Sequence, residues 1–310
     1  MTPESATKQA PPRSKRLLVR WTGIGVLFLA ALCFCHWLNQ APADHSADTD
    51  FLRRFEGGTL VIAGGGRLPP EIRQRFLAFA GGPQRAQIVI IPAYEADASQ
   101  IASIHETWRE LGLKSVHVLQ ASSRDEANLT EFGQPLEKAT GVWLSGGQQA
   151  LLSERYAGTL VEERLQAVLD RGGVVGGSSA GAAAMTKVMI EQGSDAAIES
   201  RGFDLFREAI IDQHFLRRNR LNRLIGLLEA HPNRIAFGID EGTALVVQIP
   251  KGRLGVIGSS YVLACVPGTD IGTRRFEIMK HGDHIDLAGL KSGQVRVSSP
   301  ADLDSILSDE

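Results

Sequence analysis

The sequence is poor in the features that mark several protein classes. It has three cysteines, Cys33, Cys35 and Cys265, and the first two share one apolar stretch, so the rest of the chain holds a single thiol and no disulfide framework. No CxxC pair or Cys/His cluster at zinc spacing occurs beyond that stretch, which excludes thiolate metal binding, and neither a metal nor another cofactor is expected. Neither sign of charge is in excess. Lys and Arg number 33 against 35 Asp and Glu, a formal net charge of −2, with both signs mixed along the chain. That balance excludes a nucleic-acid groove and a disordered acidic tail. Internal repeats, low-complexity tracts and any linker after residue 56 are also missing, so 310 residues with 43% hydrophobic content suffice for one large core.

One long hydrophobic run is present. Residues 21–38 contain no Asp, Glu, Lys or Arg and follow Lys8, Arg13, Lys15, Arg16 and Arg20. As a helix rising about 1.5 Å per residue the run would span roughly 27 Å, close to the hydrocarbon thickness of a bilayer. It is therefore expected to be a transmembrane anchor with its basic end in the cytoplasm, or a signal peptide cleaved near Ala43 within Ala41-Pro42-Ala43. Either way the remainder is expected outside the cytoplasm, in contact with the membrane only if the segment is retained. Leu32 and Phe34 stand where lipoprotein processing needs a small residue, so no lipid anchor is expected. The expected organisation is an export segment at 1–38, a spacer rich in Ala, Pro, Asp and Ser at 39–56, and one folded domain at 57–310.

Within that domain short β-branched runs at 59–63, 86–91, 115–119 and 142–144 read as strands, and 69–80, 98–111 and 154–169 as amphipathic helices. Continuously apolar strands imply a sheet covered on both faces, hence an α/β, doubly wound, mostly parallel sheet flanked by helices. After Arg234 the pattern changes to strands at 235–239, 244–249, 254–257, 261–266 and 294–297, expected as antiparallel additions at one sheet edge. Gly64-Gly65-Gly66 follows the first strand. Its spacing is not GxGxxG and Pro69-Pro70 occupy the helix start, so a tight turn with positive φ is expected rather than a dinucleotide site.

The chemistry starts at Gly177-Ser178-Ser179-Ala180-Gly181. This matches GxSxG between an apolar strand and an Ala-rich helical run over 182–187, the form of a nucleophile elbow. The turn exposes Ser179, and glycines two residues to either side let strand and helix approach without Cβ clashes. Ser179 needs a base. Of the eight histidines, only His214 sits just past an apolar strand end, in Ile210-Ile211-Asp212-Gln213-His214-Phe215, on the side of the sheet where catalytic groups of open α/β folds gather. The base needs an acceptor, and Asp240 and Glu241 end the next strand. Spacing leaves the choice between them open. The order Ser, His, acid argues against an α/β-hydrolase, in which the acid precedes the histidine.

Together, Gly64-Gly65-Gly66, Ser145-Gly146-Gly147-Gln148-Gln149, Gly177-Ser178-Ser179-Ala180-Gly181-Ala182, Asp212-Gln213-His214-Phe215 and Gly238-Ile239-Asp240-Glu241 resemble the serine peptidase family that contains cyanophycinase and aspartyl dipeptidase. Its fold is that of class I glutamine amidotransferases, and the resemblance runs from Gly57 to about Pro300. It implies a triad of Ser179, His214 and Glu241, with the backbone N–H groups of Gly147 and Ala180 as oxyanion donors. It also implies substrate contacts from Gln149, Asp212, Gln213, Arg218, Arg220 and Arg223. The implied activity is hydrolysis of cyanophycin, a polyaspartate with arginine on each side-chain carboxyl, to β-aspartyl-arginine dipeptides through an acyl-enzyme. Arginine forks suit such a substrate because they bind carboxylates bidentately. Two other readings stand beside it: a relative acting on other aspartyl or isoaspartyl peptides, and a membrane-tethered binding protein without turnover. A homodimer is left open. Ser178 replaces the usual threonine, and export differs from a cytoplasmic storage-granule enzyme.

Overall fold

A computed structural model describes residues 58–114, 116–207, 209–267, 273–292 and 296–297. The expected export segment and spacer lie outside them. Among the described residues no helix is long and apolar enough to cross a membrane.

The first half of the chain runs Thr59–Ala63 (β1), Pro70–Phe79 (α1), Ile88–Ala93 (β2), Ala98–Arg109 (α2), Val116–Val118 (β3), Pro135–Lys138 (α3), Gly141–Gly147 (β4), Gln149–Tyr156 (α4), Leu160–Asp170 (α5), Val174–Ser178 (β5) and Ala180–Ala183 (α6). The second half runs Val188–Gln192 (β6), Ile198–Arg201 (β7), Ala209–Gln213 (β8), Leu221–Ala230 (α7), Ile235–Ile239 (β9), Thr243–Gln248 (β10), Arg253–Gly258 (β11), Tyr261–Pro267 (β12), Arg274–Lys280 (β13), Asp283–Asp286 (β14), Leu287–Ser292 (α8) and Arg296–Val297 (β15).

Local chemistry accounts for most of these boundaries. Prolines open α1, where a missing N–H costs nothing. A reciprocal capping box between Asp97 and Gln100 opens α2. The single helix expected over 154–169 is two helices. Gly158, at φ +72°, takes a conformation that L residues avoid, and the Thr159 hydroxyl then caps α5 by accepting from the Val161 N–H. The helical run expected over 182–187 is the shorter α6, and the chain turns into β6 soon afterwards.

The larger sheet has the order β15-β14-β11-β10-β1-β5-β4-β2-β3. Strands β1, β5, β4, β2 and β3 form a parallel block, to which β10, β11, β14 and β15 add antiparallel. Alternate residues feed opposite faces: Leu60, Ile62, Val142 and Leu144 join one apolar cluster, and Val61, Ala63 and Trp143 the other. The sheet is thus covered on both sides by helices. On the second face Phe76, Trp108 and Trp143 meet edge-to-face, with centroids 5.1 to 5.8 Å apart, and Gly176 leaves room for them, since a Cβ there would lie 2.6 Å from the Trp143 ring.

The late strands do not all join one edge. Strands β8 and β9, parallel to each other, combine with β12 and β13 in a separate sheet of order β13-β12-β9-β8. This corrects the expectation that 235–239 and 261–266 extend the first sheet. The consequence is positional, because one sheet ends at Ser179 and the other carries the ends of β8 and β9.

Candidate active site

Ser179 follows β5 directly, with φ 54° and ψ −110°. A non-glycine residue there carries about 1–3 kcal/mol of backbone strain, retained only when the surroundings over-determine it. They do: the Ser179 N–H donates to the Ala63 carbonyl at the end of β1, 3.0 Å away. A Cβ at position 181 would lie 2.2 Å from the Leu144 carbonyl oxygen, and one at 177 would lie 2.8 Å from the Gly181 backbone. Glycine at both positions is therefore a steric requirement of this corner.

His214, just past β8, is a second non-glycine residue in the left-handed region, at φ 50°. Its N–H donates to the Gly64 carbonyl at 2.8 Å. The turn brings the imidazole against the serine, with Nε2 2.8 Å from Ser179 Oγ and Nδ1 2.6 Å from Glu241 Oε1. An ionised Glu241 accepts the Nδ1 proton, which leaves the Nε2 lone pair facing the hydroxyl. Burial pulls the His214 pKa below its ordinary value against the opposing pull of Glu241, and the positive charges of Arg218 and Arg220 add to the lowering. Near neutral pH the ring is thus uncharged and able to take a proton.

Asp240 points elsewhere. Its Oδ1 accepts from the Arg217 N–H at 2.9 Å and its Oδ2 from the Ser260 hydroxyl at 2.7 Å. Burial raises its pKa, but these hydrogen bonds outweigh burial and hold it below the usual carboxylate range. Asp240 thereby pins the turn that presents His214, a positioning role that sequence spacing does not reveal.

The 64–66 turn also does more than its sequence suggests. Gly65 and Gly66 have positive φ, as a tight turn requires. In addition, a Cβ on Gly65 would lie 2.5 Å from the His214 ring and 3.1 Å from Ser179 Cβ, and one on Gly66 would lie 2.7 Å from Glu241 Oε2. The three glycines form the floor on which the serine, imidazole and carboxylate meet.

The family model described as peptidase family S51 matches residues 60–254, a span that contains the 64–66 turn, Ser179, His214, Asp240 and Glu241. A cyanophycinase from Geminocystis herdmanii is 33% identical over 249 residues, covering 71% of this chain and 91% of the relative. The chain belongs to peptidase family S51. A cyanophycinase from Synechococcus elongatus is 32% identical over 246 residues, 76% of each chain. This S51 member is accordingly a hydrolase, a peptidase of cyanophycinase type. The crystal structure of a peptidase from an acI-B1 actinobacterium shares the fold, with a TM-score of 0.60 at 21% identity over 74% of this chain and 96% of that one.

Around Ser179 the other expected residues separate into two groups. Gly147 is exposed at the end of β4, beside Gly146, whose added Cβ would stand 3.6 Å from Ser179 Cβ. Ala180 is the first residue of α6, where amides have no partner within the helix. Arg218 is exposed on the turn after His214. Arg220 bonds the carbonyl and the side-chain oxygen of Gln213, and burial, with Arg223 nearby, depresses its pKa to about 10. Gln149 spends its amide N–H groups on the carbonyls of Ile190 and Glu191.

Asp212 and Arg223 differ from the expectation of substrate contacts. Their side chains are 0% and 2% exposed and bond each other through Nε–Oδ2 at 2.7 Å and Nη2–Oδ1 at 2.5 Å. A third bond from Arg223 reaches the Gly193 carbonyl. With the fork already occupied and sealed, this pair ties β8, α7 and the β6–β7 turn together. Cys265 is buried and unpaired, and among the described residues no group of three His, Cys, Asp or Glu is arranged to hold a metal.

Proposed function

We propose that the chain is a serine exopeptidase that releases β-aspartyl-arginine from cyanophycin. The observation that carries this reading is the unbroken relay from Ser179 Oγ through the imidazole to Glu241, in a peptidase whose relatives are cyanophycinases. His214 Nε2 takes the hydroxyl proton as Oγ attacks the backbone carbonyl carbon of an aspartyl unit. The N–H groups of Gly147 and Ala180 receive the oxyanion, each worth about 3 kcal/mol in the transition state. On collapse the C–N bond breaks and His214 returns the proton to the leaving amine. Water, deprotonated by His214, then attacks the acyl-enzyme carbonyl, the C–Oγ bond breaks, and His214 returns that proton to Oγ to regenerate Ser179. Glu241 holds the tautomer and stabilises the imidazolium throughout.

Incubating the purified chain with insoluble cyanophycin should release the dipeptide, identified by mass, and Ser179→Ala should abolish release; release undiminished in that variant would end the proposal. The sealed Asp212–Arg223 pair favours a second reading, in which fewer free arginines serve a broader set of aspartyl or isoaspartyl peptides. Equal rates on peptides with and without arginine would select it. We further propose that the enzyme works outside the cytoplasm, tethered by residues 21–38 or released near Ala43. The charge-free run behind a basic stretch supports this, and N-terminal sequencing of the protein made in its host distinguishes the two forms.

A further inference from the structure

A cavity of about 230 Å³ lies over β2 and β4, near the carboxyl end of the sheet, lined by Arg73, Tyr94, Gln100, Trp108, Trp143 and Ser145 among others. Arg73 comes from α1 and is half-buried. Its guanidinium has no hydrogen-bond or ion-pair partner among the described residues, and the cavity lining contains no carboxylate. A half-buried arginine in a cavity that offers no counter-ion stands out, because a desolvated charge is normally paired. Burial lowers its pKa.

The cavity shares strand β4 with the site around Ser179. Its wall residue Ser145 accepts from the Ala93 N–H at 3.0 Å and donates to the Gly146 carbonyl, two residues before the oxyanion donor assigned to Gly147. Strand β4 lies between β5 and β2. The cavity therefore sits on one side of Ser179, while His214 and Glu241 rest on Gly65 and Gly66 beyond β1, on the other. The volume is below the roughly 300–1,000 Å³ of pockets that enclose a drug-sized ligand, so it suits a small acidic group. In cyanophycin each arginine hangs from its α-amino group and keeps a free carboxylate, one per unit.

We propose that this cavity is a carboxylate subsite of the peptide groove, in which Arg73 binds the carboxylate of a substrate unit next to the one being cleaved. The inference rests on the cyanophycin reading only for the identity of the acid. An arginine–carboxylate pair over an apolar floor is short, charge-assisted and weakly screened, which suits alignment of a repetitive polymer.

Trp108 and Trp143 line the cavity, so binding can be followed by tryptophan fluorescence in full-length Ser179→Ala protein, without turnover. A synthetic three-unit cyanophycin oligomer with free arginine carboxylates should bind about 10- to 100-fold more tightly than its amidated form. Arg73→Gln should abolish that preference and Arg73→Lys should keep part of it. In the active enzyme Arg73→Gln should raise KM by a similar factor and change kcat little. Equal affinity for the free and amidated oligomers with Arg73 in place overturns the proposal, whether or not the variants fold. If neither oligomer binds, the cyanophycin reading fails, and succinate becomes the probe. A fluorescence change lost in Arg73→Gln keeps the carboxylate site, and no change with succinate removes it.

Discussion

Two acid–base pairs begin two residues apart at the end of β8, at Asp212 and His214. Strand periodicity alone would send both side chains to the same face. The left-handed backbone at His214 separates them. Asp212 stays inside, with 0% of its side chain exposed, and is closed over by Arg223. His214 turns out toward Ser179, and its partner Glu241 keeps 34% of its side chain exposed. The inner pair is sealed on all sides, so losing one member strands a buried charge. The outer pair can gain and lose a proton at modest cost because water reaches the acid. One strand end thus supplies a fixed joint and an imidazole turned out to a serine, and the difference is made by one backbone angle.

The largest expected test of this contrast is His214→Ala. It should lower kcat by about 10⁶-fold while leaving the urea midpoint nearly unchanged, since Glu241 is solvated without its partner. A large drop in the midpoint would mean that the outer pair is structural too. Arg223→Ala should behave in the opposite sense, losing about 3–5 kcal/mol of stability in urea melts, and the Asp212→Leu, Arg223→Met double variant should recover most of it. Full stability with a raised KM would make Arg223 a substrate contact. Gly65→Ala tests the floor beneath the outer pair. With its added methyl 2.5 Å from the imidazole, kcat/KM should fall about 100-fold in a chain that still folds.

The smallest effect concerns pH. Because burial lowers the His214 pKa from 6.5 and only the neutral ring is a base, the acid limb of kcat/KM should lie below pH 6.5. Arg218→Gln removes a positive neighbour that contributes to the lowering, so that limb should move upward toward 6.5. An unchanged limb would show that Arg218 takes no part in setting it. The same lowering has a stability counterpart. Unfolded chains take up this proton from about pH 6.5 downward, before the folded state does, so the contribution to stability declines as pH falls from 6.5 to the folded pKa.

Features written in consecutive residues could be read in advance. Ser179 is framed by Gly177 and Gly181 within five positions, and the parallel block follows from apolar runs alternating with helices. Features that depend on distant partners could not. Asp240 and Glu241 are equivalent in spacing, and which of them meets His214 is set by the pairing of β9 with β12 and by Ser260, which accommodates Asp240. The separate four-stranded sheet was hidden for the same reason, because a strand's own alternation does not name its neighbour. The 64–66 turn announced its backbone but not its contacts with residues more than 100 positions later. The break at Gly158-Thr159, by contrast, carried an ordinary stop and start signal within the run read as one helix.

The main-chain oxygens of Ala63, Gly64 and Gly65 receive the N–H groups of Ser179, His214 and Gly242 in turn. A ribosome delivers those acceptors first and the last donor some 180 residues later, and β10 then completes the flank of β1. Until that point the growing polypeptide holds a serine with no assembled base. The side chains of Ser179, His214 and Glu241 can therefore meet only late in synthesis, once the segment that closes on Gly65 has been made.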